Sequence, residues 1–268
     1  MHRQTRNRQG VQGATLIELL VVIGMIGVLI GLLAPALSSV RMTAGRVRSL
    51  ANLHGLGQTL GLYVAGRGVY PHYPERASSH DPVTVTEEVW LTPLGDADTV
   101  ASVFTPVFLL DQLWVGLRGI HDVAPWREHY ATWVSPGSDR ETDRPWLLPP
   151  NEHGVRSFAP PSYQYSTSFL ASPRVWMLDV SVDPVVDIRP TRPEDVAHPS
   201  AKVIMFDAER AYRRGRITAA TTRPLLFVDG AASARSDADA TRPVQNALFG
   251  ATPRLFHDTP AGIDGQDF

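Results

Sequence analysis

The sequence contains no cysteine in its 268 residues. That excludes disulfides, thiolate zinc sites, iron–sulfur clusters and a cysteine nucleophile. Lysine is nearly absent as well: of 25 basic residues only Lys202 is a lysine, which reads as genomic bias rather than chemistry. Neither sign of charge dominates. The 25 basic residues face 27 acidic ones, for a net charge of -2, so a general nucleic-acid footprint is not expected. Signature motifs of catalysis are missing: there is no HExxH, P-loop, GxGxxG or Gly-x-Ser-x-Gly elbow. A mean hydropathy of -0.10 rules out a multi-span membrane protein. With 43% hydrophobic residues the chain is too apolar to be disordered throughout, and it is long enough for one large domain or two modest ones.

The average hides an uneven N-terminus. Residues 1–13 carry Arg3, Arg6 and Arg8 and no acid. From Leu19 to Val40 no charge occurs over 22 residues. At about 1.5 Å per residue, a helix of that length covers roughly the 30 Å bilayer core. Three readings fit this run: a plain signal anchor, a secretory signal cut after Ala34-Pro35-Ala36, or a leader cut ahead of the apolar run. Arginine flanks both sides, Arg3, Arg6 and Arg8 before and Arg41, Arg46 and Arg48 after, so charge alone does not orient the span. Glu18 separates the readings. An acid heading an apolar helix is expensive in lipid, and a plain anchor gains nothing from it.

Gly13, then Ala14-Thr15-Leu16-Ile17-Glu18, directly follows the basic leader. This resembles the class III signal of type IV pilins and type II secretion pseudopilins. Pro35 matches too, at position 22 counted from Ala14, where the family commonly has a helix-bending proline. The resemblance implies a cytoplasmic leader cut by a prepilin peptidase between Gly13 and Ala14, with N-methylation of Ala14. The family usually has phenylalanine where this chain has Ala14. It further implies a single-pass protein of the inner membrane with its C-terminal head on the exported side. Its partners would be the lipid bilayer, other pilin or pseudopilin subunits and the inner-membrane assembly platform. It implies no catalytic residues, cofactor or metal. Its action would be structural, in a pseudopilus or pilus-like filament; the alternative is a membrane-anchored exported binding protein that never polymerises. Glu18 would pair with the free amine of a neighbouring subunit, since a buried carboxylate and a buried ammonium are each costly alone. Gly24, Gly27 and Gly31 share one helix face, where small residues allow close helix packing in lipid.

The helix is expected to continue past Pro35, because Val47, Leu50, Leu53, Gly57, Leu60 and Val64 recur at three- and four-residue steps. Gly66, Gly68 and Pro71 end it. The stretch from Arg48 to Tyr63 resembles the segment after the anchor in a bacterial prepilin-like group, through Asn52, Leu53, Gly57, Leu60, Tyr63 and Pro71. That group often carries a histidine separated by nine residues from the aspartate of a C-terminal Asp-Gly hairpin. Here Asp229-Gly230 supplies the turn, but Ala219 stands at the histidine position.

The expected organisation is therefore a leader (1–13), a transmembrane or filament-core helix (14–40), an exported half of the same helix (41–66) and a β-rich head (70–268) with an irregular insertion at about 134–163. The fold class is α+β and pilin-like: a long N-terminal membrane-spanning helix packed on a globular head. Strands are expected at 83–85, 103–109, 163–169, 175–180, 203–206 and 224–228, with a short helix at 111–117. The head's histidines, including the His257-Asp258 neighbours, read as solvated loop residues. Asp237, Asp239, Asp258, Asp264 and Asp267 lack EF-hand spacing and read as a disordered acidic tail rather than a calcium site. Trp90, Trp114, Trp126, Trp133, Trp146 and Trp176 read as core or half-buried surface.

Overall fold

A computed structural model describes residues 16–71, 132, 134–138, 162–177, 180–246, 248 and 252–268. The strands expected at 83–85 and 103–109, the helix at 111–117 and five of the six tryptophans lie outside the described residues, as do Gly13 and Ala14. The chain divides into two units, Met1–Thr43 and Ala44–Phe268.

One helix, α1, runs from Leu16 to Arg67 with Pro35 inside it. Its composition changes along its length. Between Leu16 and Val40 every Leu, Ile, Val and Met is exposed, none less than 48%. Beyond Ala44 the apolar residues narrow to a stripe, and Leu53, Leu56, Leu60 and Tyr63 are buried at three- and four-residue steps. Each leucine so buried contributes about 1.5–3 kcal/mol. The helix closes where the Gly68 amide donates to the Val64 carbonyl (2.7 Å), so it ends near the expected boundary.

The stripe packs on a four-stranded antiparallel sheet in the order β1-β2-β3-β4. The strands are β1 (Tyr163–Tyr165), β2 (Val203–Asp207), β3 (Thr222–Phe227) and β4 (Ala232–Ser236). Strand β2 is buried at every position. A register shift between Val203 and Met205 breaks its alternation. Ile204 and Met205 join Leu226, Tyr163 and the α1 stripe in one cluster. Val203 and Phe206 join Leu225, Phe227 and Phe256 in a second. Gly57 lets β3 come close to the helix: a Cβ there would lie 2.8 Å from Leu226 Cδ1. The Asp229-Gly230 turn closes the β3–β4 hairpin as expected, with Leu226 opposite Ala232.

Three expectations need correction. The strand expected over 163–169 stops at Tyr165, because the Ser166 hydroxyl accepts from the Ser168 amide and starts a 3-10 turn, Thr167–Phe169. The strand expected at 175–180 does not begin at Val175: Val175 and Trp176 belong to a 3-10 turn, Pro173–Trp176, opened by proline at its first position, and residues 178–179 lie outside the described residues. The expected disordered acidic tail is folded: Phe256, Asp258, Ile263 and Asp267 are all buried. A four-residue helix, α2 (Pro184–Asp187), lies between β1 and β2.

Candidate functional site

The N-terminal unit offers an apolar surface rather than a cavity. Glu18 sits in the first turn of α1. Gly24, Gly27 and Gly31 follow on one face, and a Cβ added at any of them would meet nothing within 4 Å. Val21, Gly24, Met25, Val28 and Leu29 line a shallow apolar depression there. The helix is long and apolar enough to cross a membrane by length and composition.

The head holds its polar groups in three buried seams. The first joins the helix to the sheet. Ser49 occupies the stripe position one turn before Leu53 and is fully buried. Its hydroxyl donates to Asp207 Oδ2 (2.7 Å), as does the Ser135 hydroxyl (2.8 Å). The Arg210 amide donates to Asp207 Oδ1 (2.7 Å). Tyr163 donates to Ser49 Oγ (3.2 Å) and accepts from Asn52 Nδ2 (3.2 Å). Burial raises the Asp207 pKa, while these donors pull it back. A Ser–Asp–Tyr constellation invites a catalytic reading, but Ser49 and Asp207 are 0% exposed and Tyr163 is 1% exposed, so no substrate reaches them. They clamp α1 to β1 and β2. Asp207→Ala leaves two hydroxyls and an amide without an acceptor and is expected to destabilise the head by about 1–3 kcal/mol. Ser49→Ala should cost less, because Ser135 and Arg210 still satisfy the carboxylate. Thermal melting of both variants checks the order.

The second seam surrounds Asp258, which is 0% exposed. Trp176 Nε1 (3.2 Å) and Asn246 Nδ2 (2.8 Å) donate to its Oδ1, and the Arg254 amide (2.7 Å) donates to its Oδ2. His257 is buried beside it, contrary to the expectation of a solvated loop histidine. The Thr167 amide donates to His257 Nδ1 (3.2 Å), which leaves Nε2 to donate to Gln164 Oε1 (3.1 Å). Burial first, then the positive charges of Arg254, Arg223 and Lys202, push the His257 pKa down to about 3.

The third seam ties the C-terminus to β2. The single lysine, Lys202, is 0% exposed. Its Nζ donates to Thr259 Oγ1 (2.7 Å) and lies 3.4 Å from Asp267 Oδ2. Asp267 also accepts from the Val203 amide (2.8 Å). Asp237, a half-buried member of the expected acidic tail, forms a bidentate pair with Arg223 (2.8 and 2.6 Å) and accepts from Arg210 (3.2 Å). These carboxylates face separate partners. Among the described residues no group of three His, Asp or Glu converges as a metal site would.

The sequence hinted at the first and third seams. Ser49 is a polar residue on an apolar stripe, Asp207 ends the apolar run Val203–Phe206, and a lone lysine in an arginine-rich chain is conspicuous. The partners of each are far away in sequence, so their pairing was not readable. No protein-family model, curated protein or solved structure matches this chain.

Proposed function

We propose that this chain is a prepilin-like structural subunit, cut between Gly13 and Ala14 and inserted through α1 into a type II secretion pseudopilus or type IV pilus-like filament. One observation carries the reading. The Gly13-to-Glu18 pattern heads a helix whose apolar surface from Leu16 to Val40 is wholly uncovered, while the same helix beyond Ala44 is built into a folded head. An exposed apolar surface of that extent requires lipid or other helices to cover it. Lipid covers it before assembly, and neighbouring copies of the helix cover it in a filament. Gly24, Gly27 and Gly31 then admit close helix packing, and Glu18 pairs with the new amine of Ala14 in an adjacent subunit. The head acts by contact rather than by chemistry.

The N-terminus and intact mass of the protein from native membranes test this. The expected start is Ala14, with or without one added methyl group. A start at Met1 indicates a plain anchor, a start at Leu37 an ordinary secretory signal, and either defeats the proposal. In the same preparation the protein should enter the sheared filament fraction, and Glu18→Ala should be retained in the membrane. A correctly processed wild-type protein that never enters that fraction points to the anchored, non-polymerising alternative.

A further inference from the structure

Between Arg210 and Val228 the chain carries five arginines and no acid. Two of them, Arg210 and Arg223, are engaged by Asp237. The other three, Arg213, Arg214 and Arg216, form no ion pair among the described residues, and Arg214 and Arg216 are exposed. Exposed like charges repel, so three free arginines in four residues are unfavourable unless an anion meets them.

The loop that carries them is held at both ends. At its start the Ala211 amide donates to Ser135 Oγ (3.0 Å) and the Arg213 amide to the Arg210 carbonyl (2.9 Å). At its end the Thr218 amide donates to Thr221 Oγ1 (3.0 Å), and the Thr221 amide returns to the Thr218 carbonyl (2.9 Å). Tyr212 fixes the direction of the part between. It lies directly on Gly45 of α1: a Cβ at Gly45 would stand 2.3 Å from Tyr212 Cβ, so only glycine permits the contact. Arg46 is the next residue along α1, which puts the helix arginine adjacent to this contact.

Gly45 comes five residues after Val40, the end of the uncharged run. Five residues of helix rise about 7.5 Å. A headgroup layer on one side of a bilayer is about 5–8 Å thick. When the run ending at Val40 spans a membrane, chain spacing alone keeps Gly45 and Arg46 within reach of lipid phosphates. The chemistry suits phosphate. Every cation involved is arginine, whose planar guanidinium binds phosphate oxygens in pairs. Ile217, next to Arg216, is 40% exposed and suits the boundary between headgroup and acyl chain. The arginines after the span, which leave its flanking charge balanced, thereby acquire a function.

We propose that the β2–β3 loop from Tyr212 to Ile217, together with Arg46, is a docking surface for anionic phospholipid headgroups in the leaflet facing the head. This rests on the membrane-anchored part of the reading above and is independent of polymerisation.

The test uses the full chain in lipid nanodiscs of phosphatidylcholine with and without phosphatidylglycerol. Amide hydrogen exchange over 211–218 is the readout, and retention in the discs is scored separately. Exchange is expected to slow about tenfold when the anionic lipid is present, since basic side chains near such a surface are drawn to it. High salt should reverse the effect. Arg214→Glu/Arg216→Glu should abolish it while leaving the melting temperature unchanged, because neither side chain is buried. Equal exchange in both discs, with the chain retained, overturns this inference and leaves the anchor reading intact. Failure to be retained overturns both. Equal protection by inorganic phosphate in neutral discs reveals a soluble-anion site and overturns the lipid assignment.

Discussion

Asp267→Ala is expected to release the C-terminal segment from the sheet and to destabilise the head by about 3–5 kcal/mol. Lys202 is fully buried, and Asp267 is the carboxylate in its contact shell. Removing it takes away the ion-pair partner of Lys202. Burial already holds the Lys202 pKa below its ordinary value, so the variant lysine would shed its proton rather than stay charged. The loss extends beyond the pair, because Asp267 also accepts from the Val203 amide and from Thr259 Oγ1. The neighbouring Phe268 ring packs on Phe256 and Phe227 and lies under the Arg235 guanidinium, so freeing the tail uncovers the second cluster. The double variant Lys202→Met/Asp267→Ala separates pairing from packing. An apolar chain of similar length at 202 removes the desolvation cost together with the attraction, so most of the lost stability should return. Urea denaturation followed by tryptophan fluorescence compares the three proteins, since Trp176 lies in the adjoining seam. If the double variant is as unstable as Asp267→Ala alone, the ion pair is not what Asp267 contributes.

The features legible in the sequence were those with a local period. The α1 stripe repeats every three or four residues, and the Asp229-Gly230 hairpin pairs neighbours. Both follow from backbone geometry within a few residues. The tail was misread for the opposite reason. Asp237, Asp258 and Asp267 look like solvated acids when counted by composition. Each is compensated by a partner that its own neighbourhood does not announce: Arg223 on β3 for Asp237, Trp176 at a separation of 82 residues for Asp258, and Lys202 just before β2 for Asp267. The Ser49–Asp207 bond spans 158 residues. Composition reports that a charge exists, but only the fold reports what compensates it. The processing residues Gly13 and Ala14 differ again, because their proposed role is to be recognised before folding is complete, and a sequence signal suffices for that.

His257 should give the head an acid-labile joint. Its ring is neutral in the folded chain, with Nδ1 accepting from the Thr167 amide, Nε2 donating to Gln164 and the ring edge against Phe206 at 5.2 Å. A second proton would displace the Thr167 amide and add a charge among Arg254, Arg223 and Lys202. The folded pKa of about 3 lies below the ordinary 6.5, so between these values the unfolded chain binds more protons. Stability contributed by the neutral ring is therefore complete above pH 6.5 and falls as pH drops towards 3, by about 1.4 kcal/mol per pH unit. Asp207 and Asp267 work in the other direction. Their folded pKa values are raised, so each gains stability as pH falls through its folded value towards 3.8. The wild-type profile is the sum, and subtracting the profile of His257→Gln isolates the ring. Glutamine keeps an acceptor and a donor but does not titrate, so this variant should lose about 1–3 kcal/mol at neutral pH and show a flatter acid limb. The two stability curves should converge as pH falls from 6.5 and cross before pH 4. Parallel curves would mean that His257 is protonated within the fold, and that the Thr167 amide does not hold its Nδ1.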